Sequence, residues 1–167
     1  MELGPFLNSI FAVALGLFLL FVIAKGAPFV PSRNKTVQKM VSLAGINAGD
    51  RAADLGSGNG KIVIAIARAG AEAHGYEINP LLVWWSRVSI RKAGLTGKAF
   101  IHTKNFWKED LSGFNVITLY GIDYIMSGLE KKLKEELPSG ARIVSNSFKF
   151  PNWPEILKEE GVYLYKK

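Results

Sequence analysis

The sequence predicts an α/β fold built on a parallel sheet, preceded by one N-terminal transmembrane helix. Three observations lead there. From Asp50 onward, short apolar strands alternate with helical patterns, as in a parallel sheet covered on both faces. Within that alternation, Asp54-Leu55-Gly56-Ser57-Gly58-Asn59-Gly60 sets a glycine-rich turn between a strand and a helix. Ahead of it, Pro5 to Ala24 is a run of twenty residues without a charge.

That run would be about 30 Å long as a helix, the thickness of a bilayer's hydrocarbon core. It is apolar all round, so a surface helix of the domain does not explain it. The chain starts Met1-Glu2, with no Lys or Arg before the run and no small-residue cleavage site, unlike a signal peptide. Lys25, Arg33, Lys35 and Lys39 follow it, which puts the C-terminal side toward the cytoplasm. The expected layout is a single-pass anchor over 1–25, a pre-domain segment and helix over 26–48, and a catalytic domain over 49–167. Pro28 and Pro31 hold the segment 26–33 extended, and apolar Phe29 and Val30 suit packing across the mouth of the site.

Composition narrows the chemistry. At 167 residues and 49% hydrophobic content, the chain holds one domain with a proper core. There is no Cys, so disulfides and thiolate metal sites are excluded. His74 and His102 are expected on strands at opposite ends of a half-sheet, in structural roles, and no metal site is expected. The net charge is +7, but no basic helix or RNA-binding signature stands out, so nucleic acid is not an expected partner. With bases gathered after the apolar run, an anionic membrane surface is.

The elements follow in order. Asn34 to Ala44 carries Val37, Met40, Val41 and Ala44 at helical spacing and stops near Gly45. Ala52-Ala53 leads into the glycine turn, and Lys61 to Ala67 reads as a buried helix. A second strand, Ala71 to Tyr76, ends at Glu77. Asn79-Pro80 then caps and starts a helix to Ala93, whose Trp84-Trp85 pair reads as packing, with one ring able to border a bound base. Lys98 to Thr103 and Phe114 to Tyr120 are the third and fourth strands, and Ile122, Ile125, Met126, Leu129 and Leu133 mark the next helix. Ala141 to Ser145 is the fifth strand, and Pro154 to Tyr165 supplies a hairpin turning near Glu160-Gly161.

The glycine turn is a nucleotide site in outline. Glycines let backbone approach a ligand, and the helix start offers unpaired N–H groups. Two ligands compete for it. A dinucleotide fingerprint is G-x-G-x-x-G, whereas glycines here stand at 56, 58 and 60, with Lys at 61. The tighter spacing, led by Asp54, resembles motif I of class I S-adenosylmethionine (SAM) methyltransferases. Glu77, at the tip of the second strand, stands where a carboxylate can hold a ribose diol.

More of the chain resembles one group within that class: small membrane-anchored protein-lysine methyltransferases that modify the c-subunit of ATP synthase or the adenine nucleotide translocase. The likeness runs from about Phe29 to Tyr165. It includes Phe29-Val30-Pro31-Ser32, Asp54-Leu55-Gly56-Ser57-Gly58, Gly60-Lys61-Ile62-Val63 and Gly75-Tyr76-Glu77-Ile78-Asn79-Pro80. It continues with Leu119-Tyr120-Gly121, Leu129-Glu130-Lys131-Lys132-Leu133, Gly140-Ala141-Arg142-Ile143-Val144 and Phe148-Lys149-Phe150-Pro151-Asn152-Trp153. An apolar helix before the domain is also typical of the group. Asn59 and Lys61 depart from the family's usual Asp and Arg.

The resemblance implies a Rossmann-like, mostly parallel seven-stranded sheet with a C-terminal hairpin, and SAM as cofactor. It implies that Asp54 and the backbone of Gly56, Ser57, Gly58 and Gly60 hold the methionine part, and Glu77 the ribose. Asn105 and Phe106 would border the adenine, Ser32 would close over the cofactor, and Tyr120 would shape a lysine channel as the catalytic-side residue. The implied partner is a membrane-associated protein whose neutral lysine amine takes the methyl group. Methylases of planar amines and amides carry Asn/Asp-Pro-Pro-aromatic at the tip of the fourth strand; here that place reads Leu119-Tyr120-Gly121-Ile122. Rival readings are an NAD-type oxidoreductase, a small-molecule or lipid methylase, and a SAM-binding adaptor without catalysis.

Overall fold

The computed structural model describes residues 8–10, 13, 16 and 32–167. The chain divides into two compact units, 1–30 and 31–167. Of the expected transmembrane helix, residues 8–10, 13 and 16 are helical. The rest of that helix and all but the last two residues of the segment 26–33 lie outside the described residues. Among the described residues, no helix is long and apolar enough to cross a membrane.

The second unit opens with α1 (Asn34–Ala44), then alternates β1 (Arg51–Leu55), α2 (Lys61–Arg68), β2 (Glu72–Glu77), α3 (Pro80–Lys92) and β3 (Ala99–Thr103). A short 3₁₀ turn (Phe106–Lys108) leads to β4 (Val116–Tyr120), α4 (Asp123–Glu136) and β5 (Arg142–Asn146). The hairpin β6 (Leu157–Glu159) and β7 (Val162–Lys166) closes the chain. The seven strands lie in the order β3-β2-β1-β4-β5-β7-β6. Strands β1 to β5 are mutually parallel, and β7 runs antiparallel to both neighbours. This is the expected Rossmann-like sheet and hairpin.

The two faces are covered unequally. Val37 and Met40 of α1, Ile62, Val63 and Ile66 of α2, and Val83 and Ile90 of α3 form one apolar layer over Ala52, Ala73 and Ile101. On the other face α4 is the only α-helix among the described residues: Met126, Leu129 and Leu133 pack over Ile117, Leu119 and Ile143, beside Phe150, Trp153 and Tyr165 of the tail. Both faces are covered, as the alternation leads one to expect, although the links β3–β4 and β5–β6 contribute no full α-helix.

His74 and His102 are close neighbours rather than residues of opposite ends. They lie on the paired strands β2 and β3, with His74 Nδ1 2.9 Å from His102 Nε2 and rings stacked at 5.2 Å. The other His74 nitrogen meets Glu72 Oε1 at 2.7 Å. Among the described residues, no group of three or more metal-ligating side chains occurs.

At the N-terminal ends of the strands, Asp50 joins β1, β4 and β5. Its carboxylate accepts from Asn47 N–H (2.7 Å), Asn115 Nδ2 (2.8 Å) and Arg142 Nη2 (2.6 Å). Burial works against its charge, but the Asn47 amide and the Arg142 guanidinium hold its pKa below the usual value.

Candidate cofactor site

At the opposite end of the sheet, β1 and β4 lie side by side but their following helices leave to opposite faces, α2 to one and α4 to the other. Where neighbouring connections diverge in this way, a crevice opens beyond the carboxyl ends of the strands. Every residue singled out for the site belongs to this end.

Asp54 is the fourth residue of β1, in register with Gly75 on one side and Thr118 on the other. It is buried, and Thr118 Oγ1 donates to its Oδ1 at 2.8 Å. Burial pushes its pKa up to about 7; the Thr118 hydrogen bond opposes the rise and the negative charge of Glu77 adds to it. This carboxyl therefore exchanges its proton near neutral pH, and a nearby cation would favour the ionised form.

Beyond it, the N–H groups of Gly56 and Ser57 both donate to the Tyr76 carbonyl, at 2.9 and 3.0 Å, tying the turn to the end of β2. Gly56 has φ +80, and a Cβ there would meet nothing within 4 Å, so bare peptide borders open space. Gly60 is glycine for a different reason. At φ +76, a Cβ would lie 3.0 Å from Ser86 of α3. Ser86 Oγ donates to the Gly58 carbonyl at 2.9 Å, so α3 fixes the turn from the side. Among the described residues, no side chain caps the start of α2.

Glu77 stands at the tip of β2, as expected, and also braces the turn. Its Oε2 accepts from Gly58 N–H (2.9 Å) and its Oε1 from Asn79 N–H (2.8 Å). Each carboxylate oxygen keeps lone-pair capacity for a further donor, such as a hydroxyl of a diol. Ser57 Oγ, in the turn itself, is buried and has no hydrogen-bond partner among the described residues. Buried hydroxyls are ordinarily paired.

The remaining candidates ring this centre. Asn105 caps the 3₁₀ turn, with Oδ1 accepting from Trp107 N–H at 3.1 Å, which leaves its amide nitrogen available. Phe106 is half-buried against the α4-side core, with its ring 5.2 Å from Trp107. Tyr120 ends β4 and is exposed beside the Phe148 ring, 6.2 Å away. Ser32 lies just before α1, at the same end of the sheet. The first turns of α1 are tied there by Lys35 to Glu160 and Lys39 to Glu159, beside the β6–β7 turn. Three supporting residues, Thr118, Ser86 and Phe148, are not among the expected site residues, although Phe148 opens one of the stretches that carry the resemblance. The first two are small hydroxyl residues at buried positions of otherwise apolar elements, which is the signal the chain offers for them.

The family described as the ANTKMT methyltransferase domain matches residues 54–156, the span holding the turn, both carboxylates and β4. The chain belongs to this family. Relatives of this ANTKMT-domain chain include a lysine N-methyltransferase of the ATP synthase c-subunit from Rattus norvegicus, 40% identical over 81% of this chain and 62% of that protein. A protein-lysine N-methyltransferase of Saccharolobus islandicus is 36% identical over 83% of this chain and 92% of its own length. The chain spans about three fifths of the length of the mammalian relatives it matches. A solved RNA methyltransferase from Salinibacter ruber, in complex with S-adenosylhomocysteine, has a TM-score of 0.76 at 33% identity. It covers 81% of this chain and 91% of its own.

The expected class I methyltransferase fold and its cofactor, SAM, are both upheld. The residues present fit that cofactor. SAM brings a cationic sulfonium and ammonium, a diol and a base. The site offers a buried carboxyl at about 7, a strand-tip carboxylate, a buried hydroxyl without a partner among the described residues, and open space over Gly56.

Proposed function

We propose that this protein transfers a methyl group from SAM to a lysine side chain of a membrane-associated protein. The observation that carries the reading is the tip of β4. There Tyr120 faces Phe148 at the mouth of the crevice, in place of the prolines that clamp planar amides. Two aromatic walls suit an aliphatic lysine stem, and apolar surroundings favour its neutral amine. The names of the Rattus norvegicus and Saccharolobus islandicus relatives support a lysine as the acceptor.

When bound, the cofactor supplies an electrophilic methyl group on a sulfonium centre. The chain's own residues do the rest by positioning and excluding water. Asp54 and the turn 56–60 hold the methionine part, with Ser57 Oγ gaining a partner. Glu77 holds the ribose while bracing Gly58. Asn105 and Phe106 would border the adenine, and Ser32 would close over the cofactor. Tyr120 lines the lysine channel, and no strong base is needed once the amine is neutral.

In the same reading, residues 1–25 form a single-pass anchor and the domain faces the cytoplasm. The uncharged run and the bases after it support this. Lys35 and Lys39 are engaged with Glu160 and Glu159, so Lys25 and Arg33 carry more of the orientation signal. Alkaline carbonate should leave the full chain in the membrane pellet and extract a form lacking residues 1–25 that still binds SAM. Retention of that shorter form in the pellet would remove the anchor.

The acceptor is tested by incubating the full chain with methyl-labelled SAM and membranes. Label on a protein band, mapped to lysine by mass spectrometry, is expected. Label in the lipid extract would select a lipid methylase, and binding without transfer an adaptor. Label in added RNA would favour the second reading, suggested by the Salinibacter ruber relative and the +7 charge.

A further inference from the structure

Helix α3 is apolar on two sides. Its inward stripe, Val83, Ser86 and Ile90, is buried against the sheet. Its outward stripe, Leu81, Trp84, Trp85 and Val88, follows the same three- and four-residue spacing. Leu81 is 66% exposed, Trp84 68% and Trp85 60%, with Ile78 just before the helix at 44%. The tryptophans are therefore not packing residues, and neither ring is buried at the base-binding edge. Arg91 and Lys92 continue the outward stripe, both exposed, and neither forms an ion pair among the described residues.

Four large apolar side chains in one exposed patch are uncommon on a freely soluble surface. Their kind and order point to one occupant. Tryptophan has an apolar body and a polar N–H, and it concentrates where acyl chains meet headgroups. The two cations at the end of the stripe complement anionic headgroups, as does the +7 net charge.

We propose that the outward stripe of α3 is a bilayer-docking surface. The helix lies along an anionic membrane, with Leu81, Trp84 and Trp85 at headgroup depth and Arg91 and Lys92 on the phosphates. This contact is separate from the uncharged N-terminal run and does not depend on which acceptor is methylated. Because α3 starts three residues after Glu77, the stripe begins beside the cofactor crevice and brings its mouth to the level of the membrane surface.

All four tryptophans of the chain lie beyond residue 80, so the N-terminal run is silent in tryptophan fluorescence. The full chain is reconstituted into phosphatidylcholine–phosphatidylglycerol vesicles carrying bromine at defined acyl depths. Tryptophan quenching is expected, strongest for shallow bromine. It should be lost in Trp84→Phe/Trp85→Phe, leaving Trp107 and buried Trp153 unquenched. Arg91→Glu/Lys92→Glu should weaken it in anionic vesicles, and Leu81→Glu/Trp84→Glu should abolish it at Trp85. SAM titration and circular dichroism confirm that each variant is folded. Absence of quenching in the unaltered chain, or equal quenching in Trp84→Phe/Trp85→Phe, overturns the proposal. So does quenching that vanishes when protein-free vesicles are used and returns only with an added membrane protein, which would assign the stripe to a protein partner. None of these outcomes depends on methyl transfer, so this surface and the methyltransferase reading can fail separately.

Discussion

The two ends of the sheet handle buried charge in opposite ways. At the N-terminal ends, Asp50 has Asn47, Asn115 and Arg142 around it and is held ionised. At the C-terminal ends, Asp54 lies four residues on along the same strand edge. It has one neutral donor, Thr118, shares its surroundings with a second carboxylate, and is pushed up to about 7. Satisfied polar groups make one end a clasp between strands. Unsatisfied ones suit the other to binding, because a group left short of partners inside the protein gains most when a ligand supplies them.

The largest effect that would break this contrast is on binding. Asp54→Asn should weaken SAM by about a hundredfold, the ~3 kcal/mol of a lost partner in a buried charge pair. In the unaltered chain, affinity should rise as pH passes upward through about 7, because the carboxyl must release its proton to face a cation. The Asn variant should show no such rise in calorimetric titrations. The same raised pKa acts on folding with the reverse sense. A carboxyl whose folded pKa exceeds its unfolded value stabilises the fold at low pH and loses that contribution as pH rises through about 7. Without cofactor, Asp54→Asn should therefore be more stable than the parent at pH 8, by on the order of 2 kcal/mol. A stability loss at that pH would mean that the Asp54 charge is already compensated.

Next in size is the clasp. Asp50→Ala strands Arg142 among backbone carbonyls and should cost about 3 kcal/mol in denaturant unfolding, with SAM affinity unchanged. Since the pKa of Asp50 is lowered, its contribution is present above the ordinary carboxylate range and fades as pH falls through it, opposite to Asp54. The smallest effect sharpens the comparison. Ser57→Ala removes a buried hydroxyl with no partner among the described residues, so stability should move by less than about 1 kcal/mol. SAM affinity should drop about tenfold at most, the worth of one hydrogen bond. A large stability loss instead would show that the hydroxyl is paired in the ligand-free protein.

Much of this is legible in the chain. The glycine spacing, the acid before it and the acid at the second strand tip locate the crevice, because those residues act through local backbone geometry. Strand and helix positions follow from apolar spacing for the same reason; α1 matches its expected span of Asn34 to Ala44. What is not legible depends on contacts distant in sequence. The bracing of Gly58 by Glu77 and Ser86, and the pairing of Thr118 with Asp54, require strands to be side by side first. The separation expected between His74 and His102 fails for that reason: their positions along the chain do not show that β2 and β3 lie in register. The Trp84-Trp85 pair escapes the packing expectation because hydrophobicity alone does not distinguish an inward stripe from an outward one.

The antiparallel last strand has a practical consequence. Gly140 N–H donates to the Lys167 carbonyl and Lys167 N–H to that of Ala141, so position 167 is held at the Asp50 end of the sheet. A fluorophore, affinity handle or fusion partner joined there would point away from the crevice. It would stand off by about the length of a five-residue strand, roughly 17 Å.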